Sequence, residues 1–166
     1  MSTLVGVISD THGLLRPEVL KIFKGVDLIL HAGDIGDPDV IEKLRSLSDV
    51  VAVRGNNDRD TWAKKIPESR VVKIEQARIY LLHDLKEMTL NAAVSGFQAV
   101  ISGHSHKPSI QERHGVLFIN PGSAGPRRFK LPISVARLKV KAECVTAETC
   151  ELPQYNFSMR KSKVSK

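Results

Sequence analysis

The chain has 166 residues, 42% hydrophobic and 26% charged, the make-up of a globular domain large enough to bury its own core. Its net charge of +7 falls to +3 without residues 154–166, which carry Arg160, Lys161, Lys163 and Lys166 and no acid. Most of the basicity therefore belongs to a polar terminus. Only 5% of residues are aromatic, which weighs against base-stacking platforms, and no apolar run approaches the ~20 residues of a membrane span.

Leu4 to Ile8 (LVGVI) is a nearly continuous apolar run, the pattern of a buried strand, and it stops at Asp10. Pro17 opens a helical stretch carrying Val19, Leu20, Ile22 and Phe23. Val26 to Leu30 reads as a second buried strand running into His-Ala-Gly-Asp, and Pro38 to Leu47 as a helix with Val40, Ile41, Leu44 and Leu47 at helical spacing. Val50 to Val53 is a third strand, closing on Arg-Gly-Asn-Asn-Asp. Strands alternating with helices, each strand ending in a polar loop, predict a largely parallel sheet. Farther on, Arg70 to Glu75 and Arg78 to His83 predict a hairpin across Gln76-Ala77. Ala99 to Ser102, Val116 to Ile119, Ile133 to Val140 and Ala142 to Glu148 add short strands. The expected architecture is two β-sheets face to face with helices outside, in one domain over residues 1–152, followed by a basic, disordered tail over 153–166.

Cys144 and Cys150 lie six apart with no CxxC pattern, and the first residues hold neither a basic region nor a long apolar segment. Both features predict a reduced protein without a signal peptide, acting in the cytoplasm.

Nearly every predicted strand ends in a residue able to bind a metal: Asp10 and His12, Asp34, Asn56, His83, then His104 and His106. In α/β sheets, ligands gather outside the carboxyl ends of the strands, so loops far apart in sequence converge. Carboxylates, an amide oxygen and imidazoles without a thiolate suit Mn²⁺, Fe²⁺, Zn²⁺ or a similar ion. Singly, each piece has a plainer reading: Asp34 as a turn or helix cap, Asn56-Asn57-Asp58 as turn chemistry, Asp58 as a cap. The recurrence along the chain is the signal.

The series Asp10-Thr11-His12, Gly33-Asp34, Gly55-Asn56-Asn57-Asp58, a single His83 and Gly103-His104-Ser105-His106 resembles the motifs of calcineurin-like metallophosphoesterases. Together with Asn120-Pro121-Gly122-Ser123, it is most similar to their small, single-domain bacterial and archaeal phosphodiesterases. The resemblance implies a four-layer αββα sandwich with two central mixed sheets. It implies two divalent metal ions, Mn²⁺ foremost with Ni²⁺, Fe²⁺, Co²⁺ or Zn²⁺ as alternatives. One would be held by Asp10, His12 and His106, the other by Asn56, His83 and His104, with Asp34 bridging. Metals ~4 Å apart can acidify a bridging water for in-line attack on phosphorus.

Asn57 and Asp58 are the expected non-ligand members of the catalytic site. Many larger relatives carry His at the position of Asn57; Asn cannot act as a general acid near neutral pH, which implies either a good leaving group or a proton supplied by water or substrate. Asp58 is expected to orient the metal site. His83 precedes Asp84-Leu85 where relatives often read His-Gly-His. His31 reads either as a partner behind Asp34 or as a strand histidine, and Arg127 and Arg128 either as phosphate holders or as a solvated pair. His114 is expected in a surface turn.

The expected substrate is a small phosphodiester. A phosphomonoesterase, a nuclease with the same site, and a protein-binding scaffold of the retromer-subunit type are the alternatives. The scaffold subunit lacks the bridging Asp, whereas this sequence keeps Asp34 and Asn56. No membrane partner is expected, and self-association is left open.

Overall fold

The computed structural model describes residues 1–89, 91 and 94–153; the terminus expected to form a basic tail lies, from residue 154 on, outside the described residues. Strand β1 (Thr3–Ile8) leads through helix α1 (Pro17–Ile22) to β2 (Leu28–His31), then through α2 (Pro38–Arg45) to β3 (Asp49–Ala52). Pairing of β1 with β2 and of β2 with β3 is parallel, as the alternation of strand and helix predicts. The late strands β9 (Ser134–Lys141) and β10 (Cys144–Glu151) return antiparallel, giving the order β10-β9-β1-β2-β3. Both cysteines sit in β10 as free thiols.

The second sheet starts with the hairpin β4 (Ser69–Ile74) and β5 (Ala77–Leu82), whose turn is Glu75-Gln76, one residue earlier than predicted. It continues through β6 (Ala99–Ile101), β7 (Ser109–Arg113) and β8 (Val116–Asn120) in the order β4-β5-β6-β8-β7. The three inner strands are parallel and the two edges antiparallel. Strand β7 is not apparent in the sequence because it is an exposed edge of polar residues. Its hairpin turn, His114-Gly115, has both residues at positive φ, the geometry of a two-residue hairpin turn.

The sheets pack on one another through Val5, Val7, Leu30, Ala136 and Leu138 from the first and Ile79, Leu81, Ile101 and Ile119 from the second. Fully burying such side chains stabilises by about 1.5–3 kcal/mol each. Helices α1 and α2 cover the other face of the first sheet, where the Phe23 ring lies so close to Gly6 that any Cβ there would meet it at 2.9 Å. Asp37 caps α2 by accepting from the Asp39 amide at 2.8 Å, with Pro38 at the first helical position. The outer layer of the second sheet is thin: among the described residues, a 3₁₀ turn (Leu85–Glu87) and Phe97 cover Val100 and Val116. The expected four-layer sandwich is the fold, and the carboxyl ends of its inner strands open on the same side.

Candidate metal centre

The site is made of loops that leave β1, β2, β3, β5 and β6. Asp10, His12, Asp34, His104 and His106 all adopt left-handed backbone, with φ between 46° and 71°. Such conformations cost on the order of 1–3 kcal/mol each in non-glycine residues and persist only where their surroundings hold them. Here the holding is by backbone bonds. Asp10 N donates to Gly33 O, His12 N to Asp34 O and Gly13 N to Ile35 O, extending the β1–β2 pairing past the strand ends. Gly103 N donates to His83 O at 2.9 Å and joins the β6 loop to the β5 end. The Gly before Asn56 is required, because a Cβ on Gly55 would overlap the Asp34 carboxylate.

Asp58 is buried, and its two oxygens accept from three backbone amides: Ile35 (3.1 Å), Gly36 (3.0 Å) and Gly55 (2.8 Å). It ties the loop bearing Asp34 to the loop bearing Asn56. Asn57 donates to Asp34 twice, from its backbone N to Oδ1 and from Nδ2 to Oδ2, both at 2.9 Å.

All seven expected ligands converge. His106 Nε2 is 3.1 Å from Asp10 Oδ1, and His12 Nε2 and His83 Nε2 are each 3.8 Å from it. Asp34 Oδ2 lies 3.3 Å from His83 Nε2 and 3.7 Å from His12 Nε2, between the two histidines. His104 Nδ1 is 3.1 Å from Asn56 Oδ1 and 3.3 Å from His83 Nε2. Two triplets, Asp10/His12/His106 and Asp10/Asp34/His83, keep their donor atoms within 4.8 Å of one another.

The donor set fits a cation. Asp10 Oδ2 is taken by the Ser9 hydroxyl (2.6 Å) and the His104 amide (3.1 Å), but Asp10 Oδ1, His12 Nε2 and His106 Nδ1 are buried without a hydrogen-bond partner. Buried polar atoms left unsatisfied are rare in proteins, and Asp10 Oδ1 and His12 Nε2, two of them 3.8 Å apart, point to an electrophile that belongs there.

The electrostatics agree. Burial pushes both carboxyls up, but it is outweighed. The His106 imidazole 3.1 Å away, the Ser9 hydrogen bond and the charge of His83 hold Asp10 below the usual carboxylate range. Hydrogen bonds from His83 and Asn57 hold Asp34 far lower still. Burial lowers His83, yet the hydrogen bond to Asp34 and the charges of Asp10 and Asp34 raise it overall. Burial lowers His12, opposed by Asp34 and Asp10 and reinforced by the charges of His106 and Arg128. The cavity thus keeps two carboxylates ionised where water is excluded.

His31, fully buried, has both ring nitrogens engaged: Gly33 N donates to Nδ1 (3.1 Å), and Nε2 lies 3.0 Å from Thr11 Oγ1, whose own proton goes to Ile35 O. Those roles fit only the neutral ring protonated at Nε2. Burial, only partly offset by Asp58 and Asp10, pushes its pKa down to about 4. His31 is therefore the partner behind Asp34, touching the residues beside Asp34 and between Asp10 and His12. Asn120 braces the His104 loop through Gly103 O and Ser105 Oγ, and Ser123 donates to Asp10 O. Sequence reasoning missed the parts of Ser9, Thr11 and Asp84, whose Oδ2 is 3.7 Å from His104 Nε2. Their only signal was adjacency to a ligand.

Residues 3–143 match the family model described as the calcineurin-like phosphoesterase superfamily domain, and the chain belongs to that family. It is 39% identical over 157 residues to a probable metallophosphoesterase of Methanothermobacter thermautotrophicus, covering 87% of this chain and 90% of the relative. A phosphodiesterase of Methanocaldococcus jannaschii is 30% identical over 136 residues, 71% of this chain and 82% of that one. Among solved structures, a novel archaeal phosphodiesterase superposes with a TM-score of 0.73 at 25% identity, covering 89% and 99% of the two chains. Vps29 of Entamoeba histolytica in complex with Zn²⁺ superposes with a TM-score of 0.70 at 25% identity, covering 89% and 98%.

Proposed function

We propose that this chain is a dinuclear metal-dependent phosphodiesterase of the cytoplasm. The observation that carries the reading is that Asp10 Oδ1 and His12 Nε2 are unpartnered buried atoms 3.8 Å apart beside Asp34, which faces histidines of both proposed sets. Asp10, His12 and His106 would hold one ion and Asn56, His83 and His104 the other, with Asp34 serving both. Bound there, divalent ions supply the Lewis acidity and the acidified water that in-line hydrolysis of a phosphoester needs.

The chain's own residues set the rest. Asn56 and the four histidines are neutral ligands, so Asp10 and Asp34 cancel only part of the cationic charge and a surplus remains for an anionic phosphate. Asn57 fixes the Asp34 carboxylate by its two hydrogen bonds and offers no titratable proton near neutral pH. The leaving oxygen must then depart as a stabilised anion or take its proton from water. Asp58, saturated by backbone amides, shapes the loops and does not donate. The similarity to archaeal phosphodiesterases supports the diester preference.

Chelator-stripped protein assayed on methyl 4-nitrophenyl phosphate and on 4-nitrophenyl phosphate tests the proposal. Mn²⁺ should restore turnover most strongly, ahead of Ni²⁺, Co²⁺, Fe²⁺ or Zn²⁺, and the diester should be preferred. No hydrolysis with any of these ions would overturn it.

A further inference from the structure

Residues 126–130 (Pro-Arg-Arg-Phe-Lys) are five consecutive exposed residues rooted in the floor of the metal centre. The root is rigid. Ala124 N donates to Ser9 O, Ser123 Oγ to Asp10 O, and Arg16 Nη2 to Gly125 O. Gly125 lies so close to the Asp10 and Thr11 carbonyls that a Cβ there would overlap them. The segment therefore projects from a loop packed on the one that carries Asp10 and His12.

Phe129 is 93% exposed and held at φ 54°, in a region that L side chains rarely adopt. Phe23 and Phe97 are buried in the cores, so Phe129 stands apart in being turned outward. Leu131 N donating to Arg128 O at 3.2 Å closes the turn that presents it. Its neighbours in sequence, Arg127, Arg128 and Lys130, are all exposed, and no acidic residue lies between Asn120 and Lys141. Cations that track a phosphate backbone, together with an aromatic face, are the parts from which single-strand recognition is made, because every base offers a π-face.

We propose that residues 126–130 form a recognition loop for single-stranded nucleic acid, with Phe129 stacking on a base next to the scissile phosphate and Arg127, Arg128 and Lys130 meeting the flanking phosphates. This names the substrate class of the centre proposed above, a nucleotide-bearing phosphodiester, and rests on that reading. The overall scarcity of aromatics is no obstacle, since one ring suffices when it is placed at the site.

The test measures binding of a short fluorescent oligothymidylate to the full chain by anisotropy, with chelator present so that binding is separated from cleavage. Phe129→Ser should weaken binding by about 10-fold, as loss of one base–aromatic stack does. Arg127→Ser with Lys130→Ser should lower the slope of log affinity against log salt by about 1.4, at ~0.7 per lost phosphate contact. Failure of the wild-type chain to bind, variants that bind as it does, or tighter binding to vesicles rich in phosphatidylserine than to the oligonucleotide would each overturn the proposal. Turnover of methyl 4-nitrophenyl phosphate by the same preparation keeps the two readings apart. Turnover without oligonucleotide binding sinks the loop alone, whereas binding without turnover in any metal sinks the hydrolytic reading.

Discussion

The floor and the rim of the metal centre are made from the same residue types and are held in opposite ways. On the floor, Asp10, His31, Asp34, Asp58, His83 and His106 are buried, and most of their polar atoms face backbone amides or one another. On the rim, Asn56, Asn57, His104 and residues 126–130 are exposed, with Asn57 and His104 tied down to Asp34 and Asp10. The contrast teaches that the charge pattern of the site is set where water is absent, while the exposed half remains free to meet a substrate. It predicts that floor substitutions cost most of the metal binding and turnover, or the stability, whereas rim substitutions have smaller effects with the fold intact.

The largest effect should come from the floor. Asp10→Asn removes the charge that the unpartnered Oδ1 brings to both triplets. Turnover of a small aryl diester should fall by on the order of 10³-fold, the scale of losing a main electrostatic partner. A loss under tenfold would place Asp10 outside the reacting centre. Asp58→Asn should cost stability instead, about 2 kcal/mol in urea denaturation, because one amide oxygen cannot replace a carboxylate facing three N–H donors. Metal affinity should drop with it by roughly 10–100-fold, as when groups that orient ligands are lost.

His31 sharpens the comparison through pH. Its folded pKa of about 4 lies below the ordinary value of 6.5, so the unfolded chain binds the extra proton first. Its stabilising contribution is complete above pH 6.5 and is lost as pH falls toward 4. Metal-free protein should lose about 2 kcal/mol from this group between pH 7.5 and pH 5. His83, with a raised folded pKa, acts in the opposite sense: its contribution is present below 6.5 and lost as pH rises through the folded value. The difference between wild type and His31→Gln in urea denaturation across this range isolates the His31 part, and equal pH slopes would contradict the neutral tautomer. The smallest effect belongs to the rim. Asn57→Ala should leave stability within about 0.5 kcal/mol and weaken metal binding about 10-fold by releasing Asp34. An unfolded variant would show that the division between floor and rim is wrong.

Much of this was legible in the chain. Leu4 to Ile8, Val26 to Leu30 and Val50 to Val53 announce themselves as strands because apolar residues pack on both of their faces, and the candidate ligands stand out because they interrupt apolar runs at strand ends. Strand β7 was not legible, since an exposed edge needs no apolar alternation. The places of Asn57 and Asp58 in the site were expected, but the bonds through which they and His31 act were not legible. Asn57 and Asp58 act on Asp34 and Ile35 across 23 positions, and His31 acts on Thr11 across 20. Such bonds depend on how loops meet, which no local pattern encodes. The exposure of Phe129 was hidden for the same reason: its neighbours in sequence say nothing of the turn that expels it.

The central claim is that Asp34 is shared by two metal ions. The most direct measurement is the number of ions bound per chain at saturation, by elemental analysis after gel filtration in Mn²⁺, for wild type and Asp34→Asn. The account predicts two ions in the wild type, at most one in Asp34→Asn, and loss of nearly all diesterase turnover with the far-ultraviolet circular dichroism unchanged. One ion per wild-type chain, or an Asp34→Asn variant that keeps wild-type occupancy and turnover, would contradict it.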